Sequence, residues 1–367
     1  MEYVCTGCAT KRKVDPAVWR CPACGGIFDL TERRAFTVEA IEEGRTSIWR
    51  YRRMLRIPED AFPVSMGEGM TPLVPATFGG KTIHFKLEYL APSGSFKDRG
   101  TSVLVTALRA LGATRAADDS SGNAGASFAA YAAHAGLRAE VFAPAHASPA
   151  KLAQIEVFGA TLHRIEGPRA KTTEALEAAA QGGLVYASHA WSPFTLEGTK
   201  TVAYEIWEQL GRGVSQDGAP DVFVCPIGQG SMFLGAYRGF KDLLAAGVIR
   251  RLPRFIGVQS AGCPPIVEAA RRGLDRAAPI QPRPSVAEGI MLVRPLRDRE
   301  ILQALRETGG YAVAVPDDET LQAQRALARI GLYVEPTSAV VGAALVKLPV
   351  HGTIVAALTG SGLKSPS

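Results

Sequence analysis

Two groups of residues in this sequence have the types and spacing to do chemistry. The first centres on Lys97, in Ser93-Gly94-Ser95-Phe96-Lys97-Asp98-Arg99-Gly100. An apolar strand-like run, Ile83 to Leu87, precedes it, and Val103, Leu104, Ala107, Leu108 and Leu111 follow at helical spacing. Lys97 therefore opens a helix, where backbone N–H groups and the positive end of the dipole meet. A cation is disfavoured there unless its charge is used or removed, and a lysine so placed can serve as an amine nucleophile, as in a Schiff base. Taken alone, the stretch reads more simply as a helix start whose lysine extends into water. The second group is Cys5-Thr-Gly-Cys8 and Cys21-Pro-Ala-Cys24. Two thiolates three residues apart grip one side of a tetrahedral ion, and a second such pair closes it. Four thiolates leave no open coordination position, so the expected site is structural zinc. Free thiols or two disulfides are the alternatives.

Three further stretches carry polar groups at predicted helix starts or strand ends. Ser120-Ser121-Gly122-Asn123-Ala124-Gly125-Ala126-Ser127 precedes a small-residue helix and suits a carboxylate or phosphate. It suits an N-cap with close helix–sheet packing equally well. Gly228-Gln229-Gly230-Ser231-Met232 follows the apolar strand Val222 to Pro226 and opens a helix. Its third glycine comes only at Gly235, and the next strand ends in Gln259-Ser260, so it is no dinucleotide fingerprint. It fits a single phosphate monoester. Thr359-Gly360-Ser361-Gly362 follows the last strand. The histidines form no metal spacing, and none pairs with a Ser-centred turn.

The elements that must position these residues alternate. Strands are predicted at Ala139–Ala143, Thr161–Ile165, Leu184–Ala187, Val222–Pro226, Phe255–Gln259, Tyr311–Val315 and Thr353–Leu358, with helices between them. That pattern predicts parallel sheets covered by helices, with ligands beyond the carboxyl ends of the strands. The 367 residues, 47% hydrophobic and 21% charged, suit two domains and an appendage. The charge of +6 is scattered and aromatics are only 7%, which argues against nucleic acid. No run is long and apolar enough to span a membrane, and the first residues lack an apolar signal core, so a cytoplasmic protein is expected.

In this order, GEGMTPL (67–73), PSGSFKDRG (92–100), SSGNAGAS (120–127), PIGQGSMFLGAYRGF (226–240), EPTSA (335–339) and LTGSGLK (358–364) resemble the fold-type II pyridoxal-phosphate enzymes, and within them the threonine synthases. The resemblance covers nearly the whole chain and implies two parallel-sheet α/β domains, tryptophan synthase β-like, plus a small N-terminal zinc ribbon. The implied division is a zinc ribbon at 1–30, a helical linker at 31–62, a large cofactor-binding domain at 63–90 and 198–367, and a smaller domain at 91–197. It implies pyridoxal 5′-phosphate on Lys97, next to Phe96. Asn123 would bond the phenolic oxygen, Gly228, Gln229, Gly230, Ser231 and Met232 would hold the phosphate through backbone amides, and Thr359 would face the pyridine nitrogen. Ser120 and Ser121 would hold the substrate carboxylate.

The implied activity is a lyase of amino-acid biosynthesis: O-phospho-L-homoserine plus water to L-threonine plus phosphate, in a homodimer. Thr195 and Ala124 are among the positions that depart from the family pattern. Thr195, in Ser192-Pro193-Phe194-Thr195-Leu196-Glu197-Gly198-Thr199-Lys200, stands where a phosphate-binding Arg is expected, and Ala124 stands where Thr is common. Ser285-Val286-Ala287-Glu288-Gly289-Ile290 looks more like the matching run of threonine and serine ammonia-lyases. An ammonia-lyase or β-replacement enzyme on a related amino acid is thus the alternative. A non-catalytic zinc-ribbon protein that binds a ligand is a third.

Overall fold

The structure is a computed structural model that describes residues 1–147, 149–167, 169–211 and 218–364. Its chain forms two compact units. The first comprises Met1–Arg34, Val38–Glu68 and Lys97–Gly198; the second comprises Ala35–Thr37, Gly69–Phe96 and Thr199–Ser367.

The first unit begins with a three-stranded antiparallel ribbon of β1 (Glu2–Cys5), β2 (Lys11–Lys13) and β3 (Phe28–Leu30), in the order β2-β1-β3. Residues 31–62, expected as a helical linker, form only short 3₁₀ turns at Val38–Ala40 and Ile48–Met54, the second broken at Tyr51. Their buried side chains, Ile48, Trp49 and Met54, serve packing more than helical register. Next come α1 (Lys97–Ala110), β6 (Arg115–Asp118), α2 (Asn123–Ala135), β7 (Arg138–Pro144), α3 (Pro149–Val157), β8 (Thr161–Ile165), α4 (Arg169–Gln181), β9 (Val185–Tyr186) and α5 (Pro193–Thr199). The four strands are parallel, in the order β8-β7-β6-β9. The apolar pattern does not mark β6, because Arg115-Ala116-Ala117-Asp118 is short, small and charged at both ends.

Between those segments the chain makes β4 (Leu73–Phe78) and β5 (Lys81–Lys86) of the second unit. The rest of that unit is α6 (Thr201–Leu210), β10 (Val222–Pro226), α7 (Ser231–Ala245), β11 (Arg254–Ser260), α8 (Pro265–Arg271), α9 (Asp298–Glu307), β12 (Tyr311–Val315), α10 (Asp317–Arg329), α11 (Pro336–Lys347) and β13 (Ile354–Ala357). Its six-stranded sheet runs β12-β11-β10-β13-β5-β4, parallel except for the β4–β5 hairpin at one edge. The central strands β10 and β13 are buried along their whole length, as a sheet covered on both faces requires.

The ribbon is packed into the first unit. Tyr3 stacks on Phe28 at 4.8 Å and meets Phe194 of α5 at 6.5 Å, while Trp19 meets Tyr186 and Trp191 edge-on, each at 5.1 Å. Arg56 completes the bracket. Its Nε donates to the fully buried Glu197 of α5 at 2.8 Å, and its Nη1 donates to the Leu30 carbonyl of β3 at 3.0 Å.

In the second unit, fully buried Lys86 donates to Glu205 at 2.8 Å, Gln209 at 3.0 Å and the Thr71 carbonyl at 2.6 Å. Removing one partner of a buried ion pair leaves the other desolvated, at a cost of about 3–5 kcal/mol, whereas replacing both is near neutral. Lys86→Met should therefore lose about that much in urea unfolding, and Lys86→Met/Glu205→Leu should recover most of it. A single variant within about 1 kcal/mol of wild type would contradict the assignment.

Candidate active site

Lys97 is the first residue of α1, and Asn123 is the first residue of α2. Both are half-buried. Asp98 beside Lys97 is fully buried and accepts from Ser127 of α2 at 2.6 Å. The two helices thus begin at the same end of the parallel sheet, where β6 delivers the Ser120–Asn123 loop. No side chain caps the start of α2 at Gly122. The loop folds back so closely that a Cβ on Gly125 would come 1.8 Å from the Ser120 carbonyl oxygen. This sets the Ser120–Ser121 loop against the uncapped first turn of α2, an arrangement suited to an anion.

Glu68, from the Gly67-Glu68-Gly69 turn, lies fully buried beneath this pair. Its carboxylate accepts from Tyr131 of α2 at 2.8 Å and from the Met66 N–H at 2.9 Å, and it lies 2.7 Å from the Ser102 hydroxyl of α1. Burial first, then the carboxylates of Asp98 and Glu68, push the Tyr131 phenol far above its ordinary pKa, so it stays a hydrogen-bond donor.

Thr195 is buried, with its methyl turned to α1. A Cβ on Gly100 would come 2.5 Å from Thr195 Cγ2, and one on Gly198 would come 1.9 Å from the Arg99 carbonyl oxygen. The expected substrate contact is therefore packed against the first turns of the helix that Lys97 opens, and it offers no positive charge there.

The second unit holds the other expected residues. Gly230 is the N-cap of α7, left-handed at φ 83° and without a side-chain cap. A Cβ on Gly228 would crowd the Gly289 carbonyl oxygen at 3.1 Å. Gln229 turns its side chain to the Leu296 N–H at 3.1 Å. The loop from Gly228 through Ser231 to Met232 is thus a cradle at a helix start, the chemistry a phosphate group needs. Thr359 is buried just past β13, donating its N–H to Ser338 at 2.8 Å and accepting from the Phe96 N–H at 3.0 Å. Ser95 pairs with Gly360 in an antiparallel bridge. The strand-end turn and the segment just before Lys97 are therefore one hydrogen-bonded piece.

The ribbon brings Cys5, Cys8, Cys21 and Cys24 together, with all four Sγ atoms within 4.8 Å of one another and none in a disulfide. Cys5 and Cys24 are 3.4 Å apart, Cys8 and Cys21 3.6 Å. Hydrogen bonds from Thr10 lower the Cys8 thiol to about 6, while its hydrogen bond with Cys8 pushes Cys24 up to about 12. So close a set of sulfurs cannot all ionise without a cation among them. These residues fit a metal ion.

One pair escapes the motif reading. Asp118 ends β6 and His189 follows β9, and their Oδ1 and Nδ1 are 3.7 Å apart. Two consecutive acids, Asp118 and Asp119, closing a strand just ahead of the Ser120 loop are the signal that marks the place.

The chain matches the family described as "Pyridoxal-phosphate dependent enzyme" over residues 64–360. It is 35% identical over 380 residues to the threonine synthase of Methanocaldococcus jannaschii, covering 99% of this chain and 92% of that protein. It is 36% identical over 329 residues to that of Mycobacterium tuberculosis, covering 86% and 88%. Among solved structures it is similar to a T.th. threonine deaminase, with TM-score 0.69 and 26% identity over 79% of this chain and 92% of that one. Maize serine racemase, at TM-score 0.67 and 22% identity over 80% and 88%, shares the fold. The chain belongs to the fold-type II pyridoxal-phosphate dependent enzymes and, within them, to the threonine synthase family.

Proposed function

We propose that the protein converts O-phospho-L-homoserine and water to L-threonine and phosphate, with pyridoxal phosphate carried on Lys97. The observation that carries this reading is the 35% identity to a threonine synthase over 99% of this chain, ribbon included. Held on Lys97, the cofactor would supply an electron sink for the substrate α-carbon, which would make protons at Cα and Cβ removable. Lys97 Nζ takes and returns those protons. Ser120, Ser121 and the α2 amides hold the substrate carboxylate, and the Asn123 amide holds the phenolic oxygen of the cofactor. The amides of Gly228 to Met232 take its phosphate. The Thr359 hydroxyl serves the pyridine nitrogen. A hydroxyl cannot keep a proton there as a carboxylate can, which favours elimination and replacement at the side chain over transamination. Phosphate leaves from Cγ, one of the two protons returns to Cγ and the other to Cα, and water adds its hydroxyl at Cβ while its proton passes to the phosphate.

Thr195 favours a second reading, an ammonia-lyase acting on threonine or serine, because it is uncharged and packed against Gly100. The solved threonine deaminase at 26% identity points the same way. An amino-acid panel separates the two. The first reading predicts phosphate and threonine in equal amounts from O-phosphohomoserine. Ammonia and a 2-oxo acid from threonine, with no phosphate released from O-phosphohomoserine, would establish the second.

We read the four cysteines as a structural zinc site, in a protein that acts as a cytoplasmic homodimer. Zn–S bonds of about 2.3 Å in a tetrahedron set sulfurs roughly 3.8 Å apart, close to the 3.4 and 3.6 Å of the two tightest pairs. Metal analysis should find about one zinc per chain. Changing all four cysteines to Ser should remove it and lower the melting temperature; unchanged metal content and stability would refute the site.

A further inference from the structure

Asp118 is 1% exposed, and among the described residues neither of its carboxylate oxygens has a hydrogen-bond partner. Among the same residues the Nδ1 of His189 has none either, and it stands 3.7 Å from Asp118 Oδ1, just beyond hydrogen-bond reach. A buried carboxylate left this way costs free energy that native interiors rarely tolerate without a functional reason. Nearby charges do not supply the missing bond. Arg169 is turned to the next residue, donating to Asp119 at 3.0 Å, and Thr173 donates to the same oxygen at 2.7 Å. The Tyr186 phenol is engaged with Asp119 and Ser188.

The location gives the pair a use. β6 and β9 are neighbouring parallel strands, and Asp118 and His189 lie at their carboxyl ends, where the Ser120–Asn123 loop begins. His189 also lies six residues before Thr195, on the connection into α5. Its ring is 18% exposed, against 1% for Asp118, so the imidazole forms the accessible half of the pair. An imidazole whose Nδ1 faces a carboxylate presents Nε2 on its opposite side, and a ring protonated on both nitrogens offers Nε2–H as a charged donor to an anion.

We propose that His189, backed by Asp118, receives the anionic oxygen-bearing end of the substrate side chain and supplies the positive charge that Thr195 does not. Asp118 is then a positioning residue, and binding of the anion draws the ring onto its unbonded oxygens. The proposal rests on the reading of O-phosphohomoserine as substrate.

The test uses the holoenzyme, with inorganic phosphate as calorimetric probe and O-phosphohomoserine as substrate. Loss of one charge-assisted hydrogen bond should weaken phosphate binding and raise KM by roughly 10- to 100-fold in His189→Phe, with a smaller change in kcat. His189→Gln, which keeps an N–H donor, should recover part of the loss, and Asp118→Asn should fall between it and wild type. The visible absorbance of the loaded cofactor reports that each variant is folded. Phosphate affinity and KM in His189→Phe equal to wild type would overturn the proposal. A wild-type enzyme that binds phosphate through His189 but does not turn over O-phosphohomoserine would uphold the anion site and reject the substrate.

Discussion

The first unit depends on a carboxylate out of reach of solvent. Glu68 accepts from α2 through Tyr131, lies against α1 at Ser102, and takes the N–H of its own turn at Met66. Trp49 adds its indole N–H to the same Ser102 at 3.0 Å. A buried carboxylate is tolerated only when its lone pairs are satisfied, and those bonds fix the two helices relative to each other. With the Asp98–Ser127 bond they hold Lys97 and Asn123 at adjoining helix starts. The proposed catalytic amine and the amide next to it are thus placed by buried groups behind the two helix starts.

The ribbon belongs to the same chain of support. Arg56 ties β3 to Glu197 of α5, Phe194 of α5 meets Tyr3, and Thr195 and Gly198 press on the backbone of α1 at Gly100 and Arg99. Four cysteines that look like an appendage in the sequence therefore cluster in the ribbon against which α5 rests. Metal at that site would supply stability to the helices carrying Lys97 and Asn123 while taking no part in the chemistry.

Much of this was legible in the sequence, for physical reasons that differ by residue. Lys97, Asn123 and the Gly228–Met232 loop were legible because helix starts, small residues and glycine turns leave local signatures. The cysteines were legible because ligand spacing is itself local. The pairing of Asp118 with His189 was not, because it joins residues from strands adjacent only after folding. β6 was hidden because its four residues are too short and too polar for an apolar pattern, and residues 31–62 form short 3₁₀ segments and no α-helix because tertiary packing sets their conformation. Thr195 was marked by its motif, but only the structure shows that Gly100 meets it.

Lys97 is the residue we propose to carry the cofactor. Borohydride reduction of the purified protein, followed by peptide mass spectrometry, tests it directly. A phosphopyridoxyl group is expected on the peptide containing Lys97, at that residue. The same group on another lysine, with Lys97 unmodified, would contradict it.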